Sequence, residues 1–133
     1  MVAYLDTNIF IYAFTHDPTY GAACAKILRE VQQGKREVSC STVVLLEFVH
    51  VLKKFARKSK IDVGYMTDAV LALPIKWIDL NLFLIRRSAD ERRLSGADAV
   101  HLVTMDAANI SQIISADKDF DGFAVKRIDP LKA

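Results

Sequence analysis

Cysteine is scarce in this sequence. Cys24 and Cys40 are the only two, sixteen positions apart, with no CxxC pair or Cys/His cluster around either. That spacing argues against a zinc site, and a reducing compartment argues against a structural disulfide. Each thiol is expected to pack as a small buried hydrophobe. Long apolar runs are also missing. The richest, Val43–Leu52, spans ten residues and is broken by Glu47 and His50, short of the roughly 18 apolar residues that a membrane span needs. The opening Met1-Val2-Ala3-Tyr4-Leu5-Asp6 has no basic segment and meets an acid at once, so no secretory signal is expected. A cytoplasmic protein with no membrane partner follows as the expectation. Neither charge sign dominates: 18 Lys and Arg face 16 Asp and Glu, for a net +2, too mild to identify a nucleic-acid ligand. No internal repeat, low-complexity tract or linker divides the chain.

What is present is the material for one core. A chain of 133 residues fits a single domain of about 100–150 residues, residues 1–133 together. Its 52% apolar share is slightly above the usual range and can fill that core.

The apolar periodicity alternates between strand and helix. Val2–Leu5 is a short buried strand ending at Asp6, and Asn8 caps a short helix through Phe14. His16-Asp17-Pro18-Thr19 makes a turn. A helix runs from Tyr20 to Gln33, with Gly34 as its stop. Val38–Cys40 is a brief strand, and Ser41-Thr42 cap a long helix to about Arg57. A second helix, about Ile61 to Leu73, ends before Pro74. Ile75–Ile78 reads as a strand, Leu80 to about Arg93 as a helix, and Ser95-Gly96 opens a helix over Ala97 to about Ala108. Gln112–Ser115 is a strand, Asp117–Gly122 a loop and Ala124–Arg127 a last strand. Such alternation predicts an α/β fold with a mainly parallel sheet covered on both faces.

In an open parallel sheet, ligands bind at the carboxyl ends of the strands. Asp6 lies just past the first strand and Asp117 just past Gln112–Ser115. Asp98 falls in the first turn of a helix, where the dipole favours a carboxylate. Glu47 interrupts a strongly apolar helix, and a buried acid there requires a cation or a hydrogen-bond donor. These acids can converge at one sheet edge, and a hard divalent cation is the usual reason to cluster carboxylates. Oxygen-only ligands point to Mg²⁺ or Mn²⁺. Each acid has a plainer reading: Asp98 as a helix-terminal charge, Asp6 and Asp117 as cap or loop residues, Glu47 as the partner of a buried Arg or Lys.

Asp6-Thr7-Asn8 after an apolar strand, Glu47 in an apolar helix, Gly96-Ala97-Asp98-Ala99-Val100-His101, and Ser115-Ala116-Asp117-Lys118-Asp119-Phe120 occur in that order. This series resembles the PIN-domain nucleases, and the chain looks like a VapC-type toxin of that family over essentially its whole length. The resemblance implies a three-layer α/β/α sandwich, an Mg²⁺- or Mn²⁺-dependent endoribonuclease leaving 5′-phosphate and 3′-hydroxyl ends, a cognate antitoxin and a homodimer. It makes Asp6, Glu47, Asp98 and Asp117 the catalytic, metal-binding acids. Asp6 and Asp98 are then the most direct ligands, Asp117 completes the site, and Glu47 acts through water or takes up a proton. Thr7, Asn8 and Ser115 become polar supports, and Asp119 an added acid reaching the metal through water. Asp121 matches nothing in the family and reads as a turn residue.

Lys53, Lys54, Arg57, Lys58 and Lys60 form an acid-free run at the end of the Glu47 helix. It either guides an RNA backbone or is a solvated helix end whose cations suit the dipole. Arg86, Arg87, Arg92 and Arg93 read as surface or antitoxin contacts. His101, one turn after Asp98, could face the same cleft but reads better as a partly buried structural histidine. Tyr12 and Phe14, near the first acid, could stack a base but read better as core, as does Trp77. A haloacid-dehalogenase phosphatase would need an acid where Asn8 stands, and a response-regulator receiver needs an acid and lysine set that is absent. A nuclease acting on DNA or structured RNA, and a degenerate interaction module, remain as alternatives.

Overall fold

The computed structural model describes residues Met1–Ala133. In chain order its elements are β1 (Ala3–Leu5), α1 (Thr7–Phe14), α2 (Gly21–Gln32), β2 (Val38–Ser41), α3 (Thr42–Ala56), α4 (Val63–Leu71), β3 (Lys76–Ile78), α5 (Leu82–Ser88), α6 (Gly96–Ala107), β4 (Gln112–Ile114) and β5 (Lys126–Ile128). Short 3₁₀ turns at Lys118–Phe120 and Pro130–Lys132 complete it. All five strands are parallel, in the order β3-β2-β1-β4-β5.

That order determines where a site can form. The chain moves from β1 out to β2 and β3, then returns past β1 to place β4 on its other side. Right-handed crossovers therefore put α1–α4 on one face and α5–α6 on the other. The packing agrees, with α1 against α2 and α3, α3 against α4, and α5 against α6. The expected three-layer sandwich is thus observed. The change of direction lies between β1 and β4, the topological switch point where such sheets open a crevice. Leu5 pairs with Ile114, and the Asp6 amide donates to the Ile114 carbonyl at 3.1 Å. Asp6 and Ser115 consequently leave the sheet side by side.

The central strands are buried on both faces, which suits their short apolar sequences. Phe10, Phe48, Ile27, Leu52, Met105 and Ile113 anchor the core. Phe48 meets Phe10 and Phe14 edge-on, at centroid distances of 6.2 and 5.4 Å. Both cysteines are free and buried, as expected. Tyr12, Phe14 and Trp77 pack against the core while half-buried.

Several element ends differ from the sequence reading, and caps account for most of them. Asp6, not Asn8, caps α1: its carboxylate accepts from the Thr7 amide. The helix expected from about Ile61, α4, begins only at Val63, because the Asp62 side chain accepts from the Tyr65 amide and fixes the start there. Asn81 does the same for α5 through the Leu84 amide. That helix then stops at Ser88, well short of Arg93, and Ser88 turns its hydroxyl onto the Ile85 carbonyl. The last strand is shifted to Lys126–Ile128, where it pairs with Gln112–Ile114.

Candidate metal centre

Four segments meet over the carboxyl ends of β1 and β4. The first carries Asp6, which is 5% exposed. Its Oδ1 accepts from the Thr7 amide at 2.7 Å, and its Oδ2 accepts from Ser115 Oγ at 2.6 Å and Asn8 Nδ2 at 3.3 Å. Burial raises the Asp6 carboxyl above the ordinary carboxylate range, against the opposing pull of His101, Ser115 and the Thr7 amide. Donors on both of its oxygens hold the acid in one orientation.

Ser115 is the junction of this arrangement. Its single hydroxyl hydrogen goes to Asp6, while the oxygen accepts from Asn8 Nδ2 at 3.3 Å and the Asp117 amide at 2.9 Å. Both lone pairs and the proton are therefore used.

The second segment, α3, brings Glu47. Its neighbours Val43, Val44, Phe48 and Leu52 face the core, but Glu47 stands at the helix edge with its side chain 35% exposed. Thr7 Oγ1 donates to Glu47 Oε1 at 2.7 Å, and His101 Nε2 lies 2.9 Å from the same oxygen. Desolvation pushes this carboxyl up, but the hydrogen bonds from His101 and Thr7 outweigh it and hold the group below the usual range. The donors that a buried acid requires are thus a threonine and a histidine, with no Arg or Lys involved.

The third segment is the start of α6. Gly96 adopts φ +57°, a left-handed conformation that costs glycine nothing, and this turn places Asp98 in the helix's first turn. Burial, with the carboxylates of Asp6 and Asp117 nearby, pushes Asp98 up to about 6. One turn later His101 is completely buried, more so than its sequence position suggested. Its Nδ1 lies 2.6 Å from the Tyr4 hydroxyl.

The fourth segment follows β4. Asp117 caps the 3₁₀ turn through the Asp119 amide at 2.8 Å. Carboxylate oxygens of Asp98, Asp117 and Asp119 all lie within 4.8 Å of one another. Asp119, expected at the periphery, therefore belongs to the tightest group, while Asp6 is the most completely tied by donors. Asp121 lies apart, paired with Arg127 at 2.8 Å. Arg127 also donates to the Ser115 carbonyl at 3.0 Å and so braces this loop from below.

None of Asp6, Glu47, Asp98, Asp117 and Asp119 forms an ion pair with Arg or Lys. Carboxylates left this close without a cation repel one another, and this repulsion adds to burial, the larger cause, in raising the Asp98 carboxyl. An all-oxygen set at this spacing suits a hard divalent cation with ligands at roughly 2.0–2.6 Å, after small side-chain rotations. Asp98, Asp117 and Asp119 would hold it most directly, with Asp6 and Glu47 beside them.

Sequence reasoning assigned no part in the site to Tyr4 or to the contacts of His101. The available signals were a hydroxyl in an otherwise apolar strand and the three-residue step from Asp98. The basic run at the end of α3 stands away from the acids: Arg57 is ten residues beyond Glu47, about 15 Å along a helix axis. A cleft of about 460 Å³ also lies elsewhere, between α6 and residues 123–125, and includes none of the site acids.

Known proteins share this architecture. The family described as PIN domain matches residues 3–126 of the chain. No curated protein sequence matches it significantly. Among solved structures, VapBC2 from Rickettsia felis bound to a fragment of its promoter DNA aligns with a TM-score of 0.72 at 18% identity, over 96% of this chain and 98% of that one. VapC20 of Mycobacterium tuberculosis, described as a sarcin-ricin loop cleaving toxin, aligns at 0.71 and 18% identity, over 92% and 96%. A toxin–antitoxin complex from Klebsiella pneumoniae aligns at 0.67 and 21% identity, over 98% and 99%. At these identities the likeness establishes the fold.

Proposed function

The chain belongs to the PIN-domain family, and from that premise we propose that it is an Mg²⁺- or Mn²⁺-dependent endoribonuclease, the toxin of a toxin–antitoxin pair. The observation that carries this reading is the close group of Asp98, Asp117 and Asp119, with Asp6 and Glu47 near enough to act on Asp98 and no Arg or Lys paired with any of the five. The solved relatives named as toxins or toxin–antitoxin complexes support the biological setting. In this reading the protein works in the cytoplasm, binds a cognate antitoxin and forms a homodimer. No helix is long and apolar enough to cross a membrane.

The residues divide the work. Ser115, Asn8 and the Thr7 amide hold Asp6 so that its carboxylate needs no reorganisation when substrate arrives. Asp98, Asp117 and Asp119 present oxygens from two elements to one point. The chemistry supplied on cation binding is neutralisation of phosphate oxygens and acidification of an attacking water. Glu47 receives both of its protein hydrogen bonds on Oε1, so Oε2 is free to take the proton from that water. In-line attack at phosphorus would break the P–O3′ bond, the departing 3′-oxygen taking a proton from solvent to become a 3′-hydroxyl and the phosphate staying on the 5′ side. The exposed Lys53, Lys54, Arg57, Lys58 and Lys60 would meet the RNA backbone beyond the acids.

The test is cleavage of labelled single-stranded RNA by the purified protein, with and without Mg²⁺ or Mn²⁺, beside Asp6→Asn. Metal-dependent cleavage lost in Asp6→Asn is expected. Metal-independent cleavage, or full activity in the variant, would overturn the site. Cleavage of DNA or structured RNA in preference would revise the substrate, and no cleavage of any nucleic acid would favour an interaction module.

A further inference from the structure

The Tyr4 hydroxyl is buried between two partners. It accepts from the Ser41 amide at 3.2 Å and lies 2.6 Å from His101 Nδ1. A phenol has one hydrogen to give. Ser41 already supplies a hydrogen to the oxygen, and His101 is the other partner within reach, so the phenol hydrogen points at Nδ1. That makes Nδ1 the acceptor, and the ring hydrogen resides on Nε2. There it faces Glu47 Oε1 at 2.9 Å. The result is a directed chain from the β2 backbone through Tyr4 and His101 to one oxygen of Glu47.

Thr7 Oγ1 donates to that same Oε1 at 2.7 Å. Two donors from opposite sides of the sequence thus converge on one carboxylate oxygen, and Oε2 makes no protein hydrogen bond. Were the ring in its other tautomer, Nε2 would present a lone pair to the carboxylate. Repulsion would turn Glu47 away and free its rotation. Thr7 would then be its one remaining hydrogen-bond donor, because the side chain stands at the helix edge.

We propose that Tyr4 and His101 are positioning residues: Tyr4 fixes His101 in the Nε2–H tautomer so that Glu47 presents Oε2 alone to the site. The structural part stands on hydrogen-bond geometry. The functional consequence rests on the nuclease reading given above. Outer-shell groups that fix a histidine tautomer or a carboxylate typically change metal affinity or activity on the order of 10–100-fold.

Long-range ¹H–¹⁵N spectra of the wild-type protein at neutral pH read the tautomer directly, without any variant. A neutral ring protonated on Nε2 is expected. Tyr4→Phe keeps the ring packed but removes the hydroxyl, so its spectra should show a mixture of tautomers. With RNA as substrate, Tyr4→Phe should lower kcat on the order of tenfold while leaving KM unchanged. His101→Gln, which keeps a donor, should retain more activity than His101→Leu. A wild-type ring protonated on Nδ1, or on both nitrogens, overturns the proposal. So does a Tyr4→Phe protein whose tautomer is mixed but whose kcat is intact. If wild-type protein cleaves no RNA with either metal, the nuclease reading fails, and the wild-type tautomer alone decides the hydrogen-bond chain.

Discussion

Ser115 Oγ lies 2.6 Å from Asp6 Oδ2, joining residues 109 positions apart. This contact ties the ends of the two strands that flank the switch point, and the same hydroxyl accepts the Asp117 amide. Ser115→Ala leaves a buried carboxylate oxygen with only Asn8 and frees the start of the acidic loop. A stability loss of about 1–3 kcal/mol is expected from denaturant melts. Mn²⁺ affinity, read by calorimetry, should fall on the order of 10–100-fold.

Asp98 gives the metal-free protein a pH dependence of definite sign. Its carboxyl titrates at about 6 in the fold and near 3.9 in an unfolded chain. Between those values the folded state binds more protons, so its contribution to stability is full below pH ~4 and is lost as pH rises through about 6. Thermal melts without metal should show this fall, and Asp98→Asn should flatten it. Metal requires the ionised carboxylate, so Mn²⁺ should bind more tightly as pH rises through the same window. At a hundredfold excess over its Kd the metal should stabilise the wild-type fold by about 2.7 kcal/mol.

The basic run makes a salt-dependent prediction. Lys53, Lys54, Arg57, Lys58 and Lys60 are exposed and form no ion pairs. Replacing all five by Ala should raise KM for RNA and make binding less sensitive to salt, with kcat unchanged. An unaltered salt slope would identify the run as a solvated helix end.

Phe48 tests the core that supports Glu47 from behind. It is fully buried between Phe10 and Phe14. Phe48→Ala should destabilise the fold by about 3–5 kcal/mol in denaturant melts.

The sequence by itself determined the element order, because short apolar strands and amphipathic helices carry their own periodicity. It also marked the acids. Glu47 stands out where a charge interrupts an apolar helix, and Asp6 and Asp117 where apolar strands stop. The ends of α1, α4 and α5 were less legible, since a capping side chain competes with its neighbours for the same amides. Asp6 could not be recognised as a cap from sequence, because the same carboxylate also serves Ser115, 109 residues away.

Only the tertiary structure decided which oxygens are occupied and which are free. Asp119 entered the tight group because the 3₁₀ turn after β4 folds it back toward Asp98. Ser115 met Asp6 because β1 and β4 became neighbours when the chain reversed direction across the sheet. His101 reached Tyr4 and Glu47 because α6 packs against α3, which carries Glu47, and turns His101 toward the Tyr4 ring. Contacts of this kind depend on the register between distant strands, and no local periodicity encodes that register.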